Sequence, residues 1–83
     1  MPFKFYTYIL FSKSSGKHYY GHTSNLERRL EEHNLGLSKY TKKYAPWELL
    51  YYEEYETRSE AMRREKFFKS IDGYNWLKDN KII

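Results

Sequence analysis

The spacing of apolar and polar residues changes character several times along the chain, and each change marks an element. From Phe3 to Ser12, Phe3, Phe5, Thr7, Ile9 and Phe11 alternate with Lys4, Tyr6, Tyr8 and Leu10. Both sets are mostly aromatic or aliphatic, which predicts a central strand covered on both faces. Lys13-Ser14-Ser15-Gly16 is a turn, and Lys17 to Thr23 predicts a return strand, making an antiparallel hairpin. A helical period then takes over, with Leu26 and Leu30 four apart on a buried stripe. Ser24 and Glu27 have the spacing of a capping box, which starts the helix just after Ser24. It ends near Asn34, with Gly36 as its closing residue. Gly36 to Pro46 is a polar connection. Trp47 to Tyr55 predicts a third strand, with Trp47, Leu49 and Tyr51 on one side and Leu50 and Tyr52 on the other, and Pro46 at its start. Thr57 and Glu60 form a second capping box. The helix they begin runs to about Ile71 and is closed by Gly73, with an apolar stripe of Ala61, Phe68 and Ile71 and with Met62 beside it. Tyr74 to Ile83 predicts a short helix or turn and a tail. The expected architecture is one α+β domain over residues 1–83. Its core spans about residues 3–71, a small three-stranded antiparallel sheet flanked by helices.

Three polar features interrupt this pattern. The first is the junction of second strand and first helix. Tyr19, Gly21, Arg29 and His33 gather there, and Arg29 and His33, four apart, share a helix face. A phenol, a guanidinium and an imidazole at one junction suit an anionic, phosphate-bearing substrate. The second is Glu65, which falls in the apolar stripe four residues after Ala61 and three before Phe68. A carboxylate on the core-facing side is costly unless it is paired or holds a cation; the alternative to a metal role is a salt bridge to a buried arginine. The third is the polar connection, where Lys39, Lys42 and Lys43 interleave with Tyr40 and Tyr44. Such a stretch can follow a phosphate backbone and stack on bases, or it can be an ordinary solvated loop.

Composition narrows the classes. In 83 residues, 15 Lys plus Arg against 11 Asp plus Glu give a net charge of +4, the sign expected of a nucleic-acid binder. The absence of cysteine rules out disulfides and thiolate metal sites. Ten tyrosines in so short a chain serve either packing or chemistry. No apolar run is long enough to span a bilayer and no signal peptide is visible, so a cytoplasmic protein with no membrane partner is expected. His18 and His22, four apart on a strand, would be separated by roughly 13 Å, too far for a compact zinc pair. Neither a glycine-rich phosphate loop nor a nucleophile elbow is present.

Taken in order, Tyr6-Thr7-Tyr8-Ile9-Leu10, Tyr19-Tyr20-Gly21-His22-Thr23, Asn25-Leu26, Arg29-Leu30, His33-Asn34, Tyr40-Thr41, Pro46-Trp47 and Glu60-Ala61 through Arg64-Glu65 to Lys69 resemble the GIY-YIG nuclease superfamily. The resemblance is greatest to its small stand-alone branch, related to the N-terminal nuclease domain of the DNA-repair excinuclease, and covers about Phe5 to Lys69. It implies a three-stranded antiparallel sheet with flanking helices and a metal-dependent endonuclease acting on DNA, branched or damaged DNA included, in repair or processing. By the same resemblance Tyr8 and Tyr19 are the tyrosines of the two motifs. Arg29 is the catalytic arginine, and Glu65 is the ligand of one Mg²⁺ or Mn²⁺. His33 and His22 take positions near the site. Two departures stand out: Tyr6 replaces the first motif's glycine, as is usual in the small branch, and Tyr20 is the middle residue of the second motif. The alternative of another class is a nucleic-acid-binding or protein-interaction module that has the fold without turnover.

Overall fold

The computed structural model describes residues 4–83. Its centre is β1, Phe5–Phe11, flanked by β2, His18–Thr23, and β3, Glu48–Tyr55, in the order β2-β1-β3 with both pairings antiparallel. The expected central strand is therefore central; Phe3, at its predicted start, lies outside the described residues. Alternation along β1 divides the core. Tyr8 and Leu10 pack with Trp47, Leu26, Leu30 and Tyr19 on the face covered by α1, Leu26–Asn34. Ile9 packs with Phe68, Leu77, Tyr20 and Tyr51 on the opposite face, covered by α3, Arg58–Phe68, and α4, Ile71–Asp79.

Local chemistry sets the element ends, in several cases differently from expectation. The first helix is capped by Asn25, whose side chain accepts the Arg28 N–H at 3.0 Å, and not by Ser24. Thr23 holds Asn25 in turn through its hydroxyl. The cap thus sits one residue later, and Glu27 is too early to close a box. Gly36, at φ 79°, follows the helix-ending residue Leu35. The polar connection is not a plain loop: Lys39–Lys42 form a short helix, α2. The third strand starts at Glu48, one residue after Trp47, whose backbone is clasped at both N–H and C=O by the Asn34 amide.

A register shift opposite Ile9 and Leu10 changes the sidedness of the third strand. Leu49 pairs with Leu10 and lines a cleft with Tyr52 and Leu26 on the α1 face, whereas Tyr51 pairs with Ile9 and packs on Phe68. Leu49 and Tyr51 therefore point to opposite faces, contrary to strict alternation. The extra residue at Leu50 is the reason, since a bulge inverts every later side chain.

The second capping box forms as expected, with reciprocal bonds between Thr57 and Glu60. Its helix nevertheless ends at Phe68. Ser70 begins α4, accepting the Gly73 N–H at 3.1 Å. Ile71 is 80 % exposed and belongs to the next helix, so it is not part of the apolar stripe. Gly73 lies inside α4 and does not close α3; a Cβ there would collide with the Phe67 carbonyl, so only glycine allows the two helices to meet this closely. The predicted tail is therefore core structure: Leu77 is fully buried, and Ile82 and Ile83 pack beside it.

Candidate active site

The α1 face of β1 carries a buried hydrogen-bonded cluster centred on Tyr8. Tyr8 is 2 % exposed, and its hydroxyl lies 3.0 Å from His33 Nε2 and accepts from Arg29 Nε at 3.4 Å. Opposite Tyr8 on β2 stands Gly21. A Cβ on Gly21 would come within 2.5 Å of the Tyr8 oxygen, so glycine is what lets the phenol lie flat against the neighbouring strand. Tyr19, on the same face of β2, completes the cluster, its ring 4.8 Å from that of His33 and 6.3 Å from that of Tyr8. The four-residue spacing of Arg29 and His33 on α1 brings both to the same phenol, as their shared helix face requires.

Burial and charge poise these groups. Burial pushes the Tyr8 hydroxyl up to about 12, against the pull of the Arg29 bond, and the nearby Tyr19 and Glu65 add small increments. His33 is held down to about 4, chiefly by burial and then by the Arg29 charge, so its ring is neutral at physiological pH. Burial works against the Arg29 charge, but bonds to the Glu32 carboxylate and to Tyr8 hold the guanidinium firmly protonated. Of the two carboxylates that could pair with Arg29, Glu32 is engaged at 2.9 Å; Glu65 is not.

Glu65 approaches from the other side of β2. One of its oxygens is 2.7 Å from His22 Nδ1 and the other accepts from Lys69 at 2.8 Å. Burial alone would raise this carboxyl, but the Lys69 and His22 partners pull it below the ordinary carboxylate range. Its structural partners are thus a histidine and a lysine one helical turn on, not the buried arginine expected as the alternative; the arginine of α3 that faces the core, Arg64, pairs with Glu53. Among the described residues no three His, Cys, Asp or Glu side chains gather as a ready metal cage.

The lysine-rich connection reaches the same neighbourhood through Tyr40, whose ring is 6.1 Å from that of Tyr19 and which is half exposed. Lys39, Lys42 and Lys43 are exposed on and beside α2, and among the described residues none is in an ion pair. Between them Thr41 is fully buried, its hydroxyl 2.7 Å from His33 Nδ1 and its carbonyl accepting from the Trp47 indole at 2.8 Å. Sequence reasoning gives Thr41 no role; eight residues from His33, it meets the ring only because α2 folds back over α1. Lys69 is more accessible to inference, since it follows Glu65 by one helical turn. No helix among the described residues is long and apolar enough to cross a membrane.

Comparison with known proteins agrees with this arrangement. Residues 4–75 match the family described as the GIY-YIG catalytic domain. A UPF0213 protein of Listeria welshimeri is 40% identical over 71 residues, covering 84% of this chain and 77% of its own length. One encoded in the ldhD 5′ region of Pediococcus acidilactici is 40% identical over 85 residues, covering 95% and 86% respectively. The solution structure of a UPF0213 protein from Bacillus halodurans superposes with a TM-score of 0.56 at 33% identity, covering 94% of this chain and 85% of that one. The chain belongs to the GIY-YIG family, a family of nucleases, and within it stands with the UPF0213 proteins.

Proposed function

We propose that this protein is a metal-dependent endonuclease that hydrolyses DNA phosphodiester bonds, with branched or damaged DNA in repair or processing as the substrate class to test first. The observation that carries the reading is the Tyr8–Arg29–His33 cluster beside Tyr19, with an ionised Glu65 near enough for its charge to act on Tyr8. Hydrolysis needs a water oxygen to attack phosphorus, a group to take that water's proton, and positive charge where the phosphate oxygens gain negative charge. Arg29 supplies a permanent, planar charge for those oxygens. Tyr19, half-buried at the rim, relays or takes the water proton, with Tyr8 as its fixed neighbour; His22 and His33 are the competing acceptors. Lys39, Lys42 and Lys43 track the backbone, and Tyr40 offers a face for a base.

The residues fit one hard divalent ion. Glu65 is a partly exposed, ionised carboxylate, and one of its two partners is the exposed, flexible Lys69. A single carboxylate suits Mg²⁺ or Mn²⁺, which keep most of their waters and share substrate oxygens. When bound, such an ion adds Lewis-acid charge at the scissile phosphate.

Nicking of supercoiled plasmid with Mg²⁺ or Mn²⁺, run beside a mobility shift in EDTA, tests the reading. Metal-dependent nicking is expected. Binding without nicking, across duplex, single-stranded, branched and RNA substrates, would show the binding module instead.

A further inference from the structure

We propose that Thr41 is a positioning residue for this site: its hydroxyl fixes His33 as the Nδ1–H ring, which aims the Tyr8 hydrogen inward and leaves the Tyr8 oxygen free to accept. This deepens the nuclease reading and rests on it for its catalytic meaning.

The hydrogens can be placed one by one. Tyr8 has two polar partners. Arg29 is a donor only, so the Tyr8 oxygen accepts from it at 3.4 Å. The Tyr8 hydrogen is buried and needs an acceptor, and the one within reach is His33 Nε2, at 3.0 Å. Among the described residues no buried side-chain nitrogen or oxygen lacks a partner. Were Nε2 protonated, the phenol oxygen would face two donors and its own hydrogen would have nowhere to go. Nε2 is therefore bare, and a neutral imidazole then carries its proton on Nδ1. That N–H donates to Thr41 Oγ1 at 2.7 Å. The Thr41 hydrogen is directed in turn to the Ser38 carbonyl, at 3.5 Å.

The result is one chain of donors running from Arg29 through Tyr8, His33 and Thr41 to Ser38. Every link points away from the guanidinium, so the lone pairs of the Tyr8 oxygen face the side where Arg29 would meet a phosphate. Thr41 can hold this direction because it does not move freely. It is 0 % exposed, and the Trp47 indole fastens its carbonyl while Asn34 fastens Trp47 to the end of α1. The helix that exposes Lys39, Lys42 and Tyr40 on its outside thus sets the ring state of His33 on its inside.

Thr41→Val keeps the shape and removes the hydroxyl; Thr41→Ser returns it. In protein carrying ¹⁵N-labelled histidine at neutral pH, wild type should show His33 with its proton on Nδ1. Thr41→Val should lose that state in favour of Nε2–H, and Thr41→Ser should regain it. Single-turnover nicking should fall by about 10- to 100-fold in Thr41→Val, the usual loss when an orienting partner is removed, and recover in Thr41→Ser. Wild-type His33 protonated on Nε2 overturns the proposal, whether or not Thr41→Val folds; so does an unchanged Nδ1–H ring in folded Thr41→Val. Because the ring state is read without DNA, a wild-type protein that shows the Nδ1–H form yet nicks nothing supports Thr41's hold on His33 while rejecting the nuclease reading.

Discussion

Two carboxylates lie between α3 and the sheet, one at each edge, and their surroundings differ although their side chains are about equally covered, at 17 % and 18 % exposure. At the β3 edge, Glu53 is enclosed. Arg64 donates to both of its oxygens, at 2.7 and 3.2 Å, and Tyr51 and Tyr55 donate at 2.6 Å each. Burial alone would raise Glu53, but these four bonds pull it below the usual carboxylate range, and the same contacts, with burial first, push both tyrosines up to about 12. Arg64 is itself packed between Phe67, Phe68 and Trp76, 4.5 to 4.9 Å from each ring. Every position around Glu53 is filled from within. At the β2 edge Glu65, the next residue after Arg64, has two partners, and one of them is an exposed lysine. One carboxylate is saturated and the other has lone pairs to spare. Adjacent positions on one helix therefore divide the work: Arg64 fastens α3 to the sheet, and that fastening fixes where Glu65 stands.

This difference predicts opposite phenotypes for one substitution made twice. Glu65→Gln should fold normally, bind DNA and show no metal-dependent nicking. Glu53→Gln should unfold more easily, by about 2–3 kcal/mol for weakened charged hydrogen bonds, and nick at nearly the wild-type rate per folded molecule. Denaturant titration beside plasmid nicking measures both. Undiminished nicking by folded Glu65→Gln would remove the metal assignment.

Arginines sharpen the same contrast. Arg29 touches Tyr8 and Glu32 and leaves part of its guanidinium exposed, whereas Arg64 is spent on Glu53. Arg29→Lys retains charge but loses the planar fork. Cleavage should fall on the order of 10²- to 10³-fold, the usual loss for one transition-state contact, with DNA binding kept. Full-rate cleavage by folded Arg29→Ala would make Arg29 a structural residue like Arg64.

A smaller effect is expected at α2. Replacing Lys39, Lys42 and Lys43 by Ala should weaken binding across sequences and lower the magnitude of the salt slope by roughly 2 to 3, about one per lost phosphate contact. An unchanged slope, measured by titration at several salt concentrations, would leave α2 with the inward role of Thr41 alone.

Much of this is legible in the chain alone, because it depends on short-range rules. The two-faced β1, the Thr57–Glu60 box and the phase of Glu65 on its helix follow from neighbours a few residues apart. The parts that are not legible depend on contacts between distant segments. The bulge at Leu50 exists only in relation to β1, so alternation within the third strand could not reveal it. The last helix is hidden by Gly73, a poor helix residue by propensity, retained because α3 packs against that position. Thr41 carries no chemical signature in the chain; its role appears when α2 lies over His33. In the site, Tyr8, Arg29 and His33 can be grouped by spacing and resemblance, but the partners that set their protonation cannot.

The same partners make a last, smaller prediction about pH. His33 lies down near 4 in the folded protein, from an ordinary value of 6.5. A depressed histidine means that the folded state resists protonation while the unfolded chain accepts it. Stability from this group is therefore fully present above about 6.5, falls as pH drops through that value, and levels off below about 4, where both states are protonated. Between pH 7 and 5 the loss should be on the order of 1–2 kcal/mol. Glu53 and Glu65 act in the same direction but lower: their contribution is present above the ordinary carboxylate range and disappears as pH falls through their depressed values. His33→Gln removes the histidine term and leaves the carboxylates. Urea titrations at pH 7, 6 and 5 should thus give wild type a steeper decline than His33→Gln, with the two converging in slope at lower pH. Parallel declines from pH 7 to 5 would show that His33 takes up its proton as readily in the fold as outside it. The Tyr8 hydroxyl would then lose its neutral acceptor, and with it the donor chain through Thr41.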